Sequence, residues 1–157
     1  MDNFAQLESF VRRIYNPDGD PRVDATLTIQ PYAYRVNFTD LAASGEQVKS
    51  INISANADFI LTSPRYRAKV DDTDNDVIPQ VMVLLTDTGS SEQLTNDQVD
   101  ISTYFGQIGK APYTIEYPRI ISGRSSLSVA LSNYSTALTY DIEMTFAGVL
   151  VRSYGKG

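Results

Sequence analysis

The side chains of this sequence that could do chemistry are carboxylates. The 157 residues contain 19 Asp plus Glu, but no His and no Cys. This composition excludes the Ser-His-Asp triad, thiol nucleophiles and metal sites built from His or Cys ligands. What remains is acid–base chemistry by carboxylates and the binding of hard cations by oxygen ligands.

The acidic stretch DDTDND, residues 71–76, is the best candidate for a cation site. Aspartates two residues apart can converge on one calcium ion, as they do in an EF-hand loop. In an EF-hand register that starts at Asp72, however, the required Gly falls on Val77 and the bidentate Glu falls on Val83. The EF-hand pattern therefore fails. A solvated turn is the expected structure, and a looser calcium site stays open.

A pair of carboxylates could in principle hydrolyse a glycoside, because such pairs meet in space and not in sequence. Glu116, Asp141 and Glu143 lie on predicted strands. Asp141 and Glu143 share the polar side of one strand, about 7 Å apart. The other side of that strand is apolar, so a wet sheet surface is the expected role. We predict no catalytic, cofactor-binding or metal-binding residue.

The N-terminal stretch NFAQLESFVRRIY, residues 3–15, predicts a short amphipathic helix. Pro17 and Gly19 then end it. Its apolar residues recur at three- and four-residue steps and share one side, which we call the apolar stripe: Phe4, Leu7, Phe10, Val11 and Ile14. A helix of about twelve residues is marginal alone in water. The stripe must therefore pack on its own domain or, as an arm of residues 1–23, on a neighbouring chain.

From Asp24 onward the sequence has the period-two alternation of β-strands. Seven to nine short strands follow at intervals of 8–12 residues, separated by Gly, Pro, Asn and Asp. In residues 80–87 both alternating sets are apolar, which predicts a strand covered on both faces. The strands at 127–132 and 140–146, joined by a polar turn, predict an antiparallel hairpin.

This pattern predicts an all-β fold, a jelly-roll-like antiparallel β-sandwich at residues 24–157 with a short N-terminal helical arm.

The charge balance and the hydropathy pattern limit the class of partner. The net charge is −6, whereas a nucleic-acid-binding surface needs a basic patch. The apolar runs are far shorter than the ~20 residues of a membrane-spanning helix, and the N-terminus lacks the basic and apolar regions of a secretory signal. We therefore predict cytoplasmic synthesis, no disulfides and no nucleic-acid or membrane partner.

Four consecutive stretches follow one another in a characteristic order: ADFILTSPRYRAKV, PQVMVLLTDTGSSEQL, STYFGQIGKAP and PRIISGRSSLSVALSNYSTALTYDIEMTFAGVLV. The last contains a proline-led strand, a Gly-Arg-Ser turn, a strand that ends in Ser-Asn and a final strand that ends in Phe-x-Gly. This pattern of turns and strands, over about residues 55–152, resembles the jelly-roll cement or decoration proteins of tailed-bacteriophage heads. It includes no active-site motif.

The resemblance implies a non-enzymatic structural protein of the virion, made in the host cytoplasm and displayed on the capsid surface. The implied partners are the major capsid protein and neighbouring copies of the chain, in a dimer or trimer. The candidate contact residues are those of the apolar stripe: Phe4, Leu7, Phe10, Val11 and Ile14. The alternative is a carbohydrate-binding β-sandwich module of a phage tail or fibre, because the ten Tyr residues could stack on sugar rings.

Overall fold

Two β-sheets face each other, and most of the chain lies in their strands. The computed structural model describes residues 3–110, 115 and 118–153, and the side chains of these residues except those of residues 3, 4 and 153. The helices and strands in chain order are α1 (Asn3–Tyr15), α2 (Pro21–Asp24), β1 (Leu27–Leu41), β2 (Glu46–Asn52), β3 (Asp58–Val70), β4 (Val81–Asp87), β5 (Glu92–Gln93), β6 (Val99–Asp100), α3 (Ile101–Tyr104), β7 (Gly106–Gln107), β8 (Arg119–Ile121), β9 (Ser126–Asn133) and β10 (Tyr140–Ser153).

The strand order is that of a jelly roll. Sheet I has the order β1-β10-β3, and both β7 and β8 pair with β3. Sheet II has the order β2-β9-β4, and both β5 and β6 pair with β4. If β5–β6 is counted as one interrupted strand and the two-residue β7, which runs parallel to β3, is left out, the orders become 1-8-3-6 and 2-7-4-5. This is the double Greek key of a jelly roll. The predicted antiparallel β-sandwich with a short N-terminal helix is confirmed.

The core lies between the sheets and follows the predicted alternation. In β10 the residues Tyr140, Ile142, Met144 and Phe146 are all buried, and their neighbours in sequence point outward. Phe105 lies edge-on against Phe146, with ring centroids 5.6 Å apart. Burial of one such large apolar side chain stabilises the fold by roughly 1.5–3 kcal/mol. The buried residues of β10 therefore contribute strongly to the stability of the sandwich.

The predicted hairpin between residues 127–132 and 140–146 is wrong. Strand β9 pairs with β2 and β4 in sheet II, whereas β10 pairs with β1 and β3 in sheet I. The connection crosses from one sheet to the other and is held by Asn133, whose side-chain amide donates to the carbonyls of Leu41 (3.1 Å) and Leu138 (2.8 Å). Alternation of apolar residues determines which side of a strand is buried, but not which strand is its neighbour.

Strand β3 runs unbroken through Ser63-Pro64, although a proline within a strand pattern usually indicates an interruption. The pairing with β10 slips by one residue at this point, between Ala147 and Gly148. A Cβ atom at Gly148 would lie 1.9 Å from the carbonyl oxygen of Ile60. Only glycine fits so close an approach of two backbones.

Strand β4 is covered on one face only, contrary to the expectation for residues 80–87. Val81, Val83 and Leu85 are buried in the core, but 36% of Met82 is exposed. The apolar residues on the second side of β4 therefore belong to the surface of the protein.

Candidate interaction surfaces

Helix α1 packs on the outer face of sheet I. Val11 is fully buried there in a second apolar cluster, apart from the main core, with four strand residues: Leu27, Ile60, Val149 and Val151. The partly buried Leu7 and Phe10 pack against the same cluster. Leu7, Phe10 and Val11 of the apolar stripe are thus the residues by which the helix packs on the sheet.

The end of α1 is fixed by a shared carboxylate. The phenol of Tyr15 donates to Asp58 Oδ2 (2.8 Å), and the backbone N–H of Gly123 donates to Asp58 Oδ1 (2.9 Å). Burial, and then the hydrogen bond to Asp58, raises the pKa of Tyr15 well above its ordinary value. A Cβ atom at Gly123 would lie 2.6 Å from the carbonyl oxygen of Ala57, so the close approach of this turn requires glycine.

The connection from α1 to β1 is also fixed in place. Asn16 is buried, its amide donates to the carbonyl of Asp20 (2.9 Å), and its Oδ1 accepts from the N–H of Asp20 (3.0 Å). Arg12 pairs with Glu8 (3.1 Å) and Asp24 (3.2 Å). The segment between the helix and the sandwich is therefore an ordered turn that belongs to the domain.

The candidate contact residues of α1 differ in how much of each side chain is exposed to solvent. Val11 is fully buried in its own domain, and Leu7 and Phe10 are partly buried there. Ile14 is 41% exposed, and the side chain of Phe4 lies outside the described residues. The stripe was expected to pack either on its own domain or on a neighbouring chain, and Leu7, Phe10 and Val11 pack on their own domain. Contact with a partner stays a prediction, and Ile14 is the large apolar side chain available for it.

The acidic loop of residues 71–76 does not gather its own aspartates around one point. Instead, carboxylate oxygens of Asp71, Asp40 and Asp141 lie within 4.8 Å of one another. Desolvation, followed by repulsion from Asp72, Asp40 and Asp141, raises the pKa of Asp71. This trio brings together three distant parts of the chain.

The outer face of sheet I beside α1 is strongly charged. Glu143 pairs with Arg35 (3.2 Å), and Asp76 pairs with Arg67 (3.5 Å). The predicted neighbours Asp141 and Glu143 thus have different surroundings, since Asp141 belongs to the aspartate trio. Glu116, the third predicted carboxylate, lies outside the described residues. Glu143 and Asp76 have the solvated, ion-paired setting expected of a wet sheet surface, whereas Asp141 has two other aspartates as neighbours.

The outer face of sheet II is nearly uncharged. We call it the sheet II face, and it consists of the outward residues of three strands: Glu46, Val48, Ser50 and Asn52 of β2, Ser126, Ser128, Ala130 and Ser132 of β9, and Met82, Leu84 and Thr86 of β4. Glu46 is the one charged side chain in this set, and Asp100 of β6, which lies opposite Met82, adds a second carboxylate at the edge of the face. Val48 is 57% exposed and Met82 is 36% exposed.

Sequence reasoning missed the sheet II face. The available signal was the doubly apolar pattern of residues 80–87, which was interpreted as burial on both sides.

The exposed tyrosines do not form a common platform. Among the described tyrosines, Tyr32 and Tyr134 are the large exposed ones, and they belong to opposite sheets of the sandwich. The ring of Tyr32 lies edge-on against Tyr34 at 4.9 Å. The phenol of Tyr134 donates to Asp100 (2.7 Å), and this hydrogen bond is the main cause that raises the pKa of Tyr134.

No protein-family model matches the sequence, and a search of curated proteins finds no significant match. Among the described residues, no helix is long and apolar enough to cross a membrane.

Proposed function

We propose that this chain is a non-enzymatic structural protein of a tailed-phage particle, which binds the capsid surface through protein–protein contacts and stabilises the shell. The observation that carries the proposal is the jelly-roll strand order of sheets I and II. Viral capsid domains are among the proteins built on this order. It agrees with the resemblance to head cement proteins over about residues 55–152.

The roles of the polar side chains support a protein without catalysis. The chain has no His and no Cys, and three of its partly or fully buried polar side chains hold the fold together. Asp58 joins α1 to the turn before β9, and Asn133 holds the crossing between the sheets. Asp100 accepts hydrogen bonds from Ser102 and Tyr134 at the start of α3. Each of these groups has a structural partner, and none is left poised as an acid or base.

The physics of shell stabilisation suits a small rigid domain. A protein that binds only the assembled shell stabilises it by mass action. Many copies of a modest interface act together on a repeating surface. A sandwich with ordered connections loses little conformational entropy when it binds.

The exposed side of α1 is the proposed contact with the major capsid protein. The helix lies on the outside of sheet I, bound through Val11, and Ile14 is 41% exposed beside the exposed Arg13. Burial of the exposed 41% of Ile14 at a partner surface would contribute roughly 0.6–1.2 kcal/mol. That corresponds to roughly a 3- to 8-fold change in affinity, and a charge placed in the contact would cost more.

Co-sedimentation with purified shells prepared without this chain tests the proposal. We expect the wild-type chain to bind in a fixed ratio to the shell protein, and Ile14→Glu to weaken binding roughly tenfold or more. Ile78→Glu is the matched control, because Ile78 is an exposed isoleucine (66%) in the loop that leads into β4 of sheet II. Absence of binding by the wild-type chain would overturn the proposed function. Equal binding by both variants would overturn only the α1 contact.

A further inference from the structure

We infer that the sheet II face is the surface through which two copies of this chain associate. The register of three strands defines the centre of the face. Val48 of β2 and Leu84 of β4 both lie opposite Ala130 of β9. These three side chains form an uncharged apolar row across the sheet. This inference does not depend on a role in a capsid.

The rows on either side of the centre are also suited to close packing. On one side Glu46 and Met82 lie opposite Ser132, and on the other Ser50 and Thr86 lie opposite Ser128. The middle strand therefore presents only small side chains in all three rows: Ser132, Ala130 and Ser128. Two such faces can approach to the ~10 Å spacing of packed sheets.

The rim of the face is already ordered. At one corner the amide of Gln98 donates to Ser132 (3.1 Å), and the phenol of Tyr134 donates to Asp100 (2.7 Å). Both hydrogen bonds cross β4, from the β6 side to the β9 side, and Met82 lies between them. A partner that covers Met82 would not have to immobilise these side chains, which lowers the entropic cost of association.

Charge identifies a second copy as the occupant. The chain carries a net charge of −6, so identical copies repel each other over most of their surfaces. A strongly basic partner would gain little from a face whose two carboxylates, Glu46 and Asp100, lie at one end, and would be drawn to other acidic surfaces. Two copies meet with least repulsion where charge is scarcest, which is the sheet II face.

A two-fold axis across the strands at the central row gives a self-complementary contact. This axis places Val48 of one copy over Val48 of the other and Ala130 over Ala130. The order of the rows is reversed between the copies, so Glu46 of one copy lies over Ser50 of the second. The two Glu46 carboxylates therefore do not face each other, and the apolar row packs on itself.

The size of the face sets the expected strength. Three strands about 4.8 Å apart and seven residues of about 3.4 Å each give a footprint of about 14 Å by 24 Å. This is about 340 Å², less than half of the ~800 Å² that each partner buries in a standard interface. We therefore expect a weak, concentration-dependent dimer.

Sedimentation velocity of the full chain, from about 5 to about 500 µM, tests the inference because this range covers weak association. We expect the wild-type chain to shift from monomer toward dimer with concentration. Because residue 48 faces residue 48 across the axis, Val48→Glu and Val48→Lys should each remain monomeric alone. An equimolar mixture of the two variants should recover dimerisation through the opposite charges.

Ile78→Glu is the control, because Ile78 is 66% exposed and lies outside the sheet II face. It should dimerise as the wild type does, and thermal unfolding of each variant verifies that it is folded. A wild-type chain that is monomeric at every concentration would overturn the inference. So would a Val48→Glu variant that dimerises normally. Loss of shell binding in Val48→Glu, with a monomeric wild type, would assign the face to the shell instead.

Discussion

The phenol of Tyr15, the last residue of α1, lies 2.8 Å from the carboxylate of Asp58, the first residue of β3. The same carboxylate accepts the N–H of Gly123, which precedes β9. One side chain thus joins the N-terminal helix, sheet I and the turn that leads into sheet II. The helix is an integral layer of the domain and not a free tether.

Tyr15→Phe should lower the free energy of unfolding by about 1–2 kcal/mol, because it removes a partly buried hydrogen bond to a charged acceptor. Urea denaturation followed by circular dichroism measures this difference. Tyr134→Phe is the matched control, since it removes a phenol–carboxylate bond at an exposed position and should cost less. An equal loss in both variants would contradict the anchoring role of Tyr15.

The stability of the wild-type chain should fall at alkaline pH. Burial raises the pKa of Tyr15 in the folded chain above its unfolded value near 10. Between these two pKa values the unfolded state has lost the proton that the folded state keeps, so the free energy of unfolding decreases as pH rises. Below the unfolded pKa, the contribution of Tyr15 is fully present and does not change with pH.

Comparison of wild type and Tyr15→Phe by urea denaturation between pH 8 and pH 11 isolates this contribution. The variant should show a shallower decline, by at most about 1.4 kcal/mol per pH unit for one proton. Identical slopes would show that Tyr15 is not the group responsible.

Gly148→Ala should destabilise the fold by about 3 kcal/mol or more, since its Cβ would collide with the carbonyl oxygen of Ile60 inside a paired strand. Gly19→Ala is a useful comparison, because Gly19 has φ +66° but no atom within 4 Å of an added Cβ. Its cost should be only the roughly 1–2 kcal/mol of left-handed backbone strain. Thermal unfolding should rank Gly148→Ala well below Gly19→Ala, and the reverse order would contradict the bulge geometry.

Asp71→Asn should increase stability at neutral pH. The pKa of Asp71 is raised by desolvation and by the nearby Asp72, Asp40 and Asp141, so the ionised form is disfavoured in the folded chain. Because the folded pKa lies above the unfolded one, the penalty is present at neutral pH and disappears as pH falls through the unfolded pKa. The advantage of the variant should therefore vanish at about pH 3.

Thermal unfolding at the two pH values checks this expectation, with Asp74→Asn as the control because Asp74 is exposed in the same loop. A variant less stable than wild type at neutral pH would show that the carboxylate of Asp71 stabilises the fold. The same scans with and without calcium test the looser cation site that the sequence leaves open.

Much of the fold follows from local patterns. The three- and four-residue steps of the N-terminal stretch predict α1 at residues 3–15, and the alternation in 140–146 predicts the buried side of β10. Neither pattern contains information about neighbours across the sandwich. Residues 127–132 and 140–146 therefore look like a hairpin, although a connection held by Asn133 sends them to opposite sheets.

The surfaces were harder to predict, because they are assembled from distant strands. The aspartate trio joins Asp40, Asp71 and Asp141, of which only Asp71 belongs to the loop selected from the sequence. The centre of the sheet II face depends on the pairing of Val48 and Leu84 with Ala130. Strand register of this kind is set by tertiary packing and is absent from any single segment.

The most direct test of the central claim is the disruption temperature of purified shells with and without saturating wild-type chain, measured together with the amount of bound chain. We predict stoichiometric binding and a higher disruption temperature, because a protein that binds only the assembled state stabilises it. Shells that bind no chain and disrupt at the same temperature would contradict the proposed role.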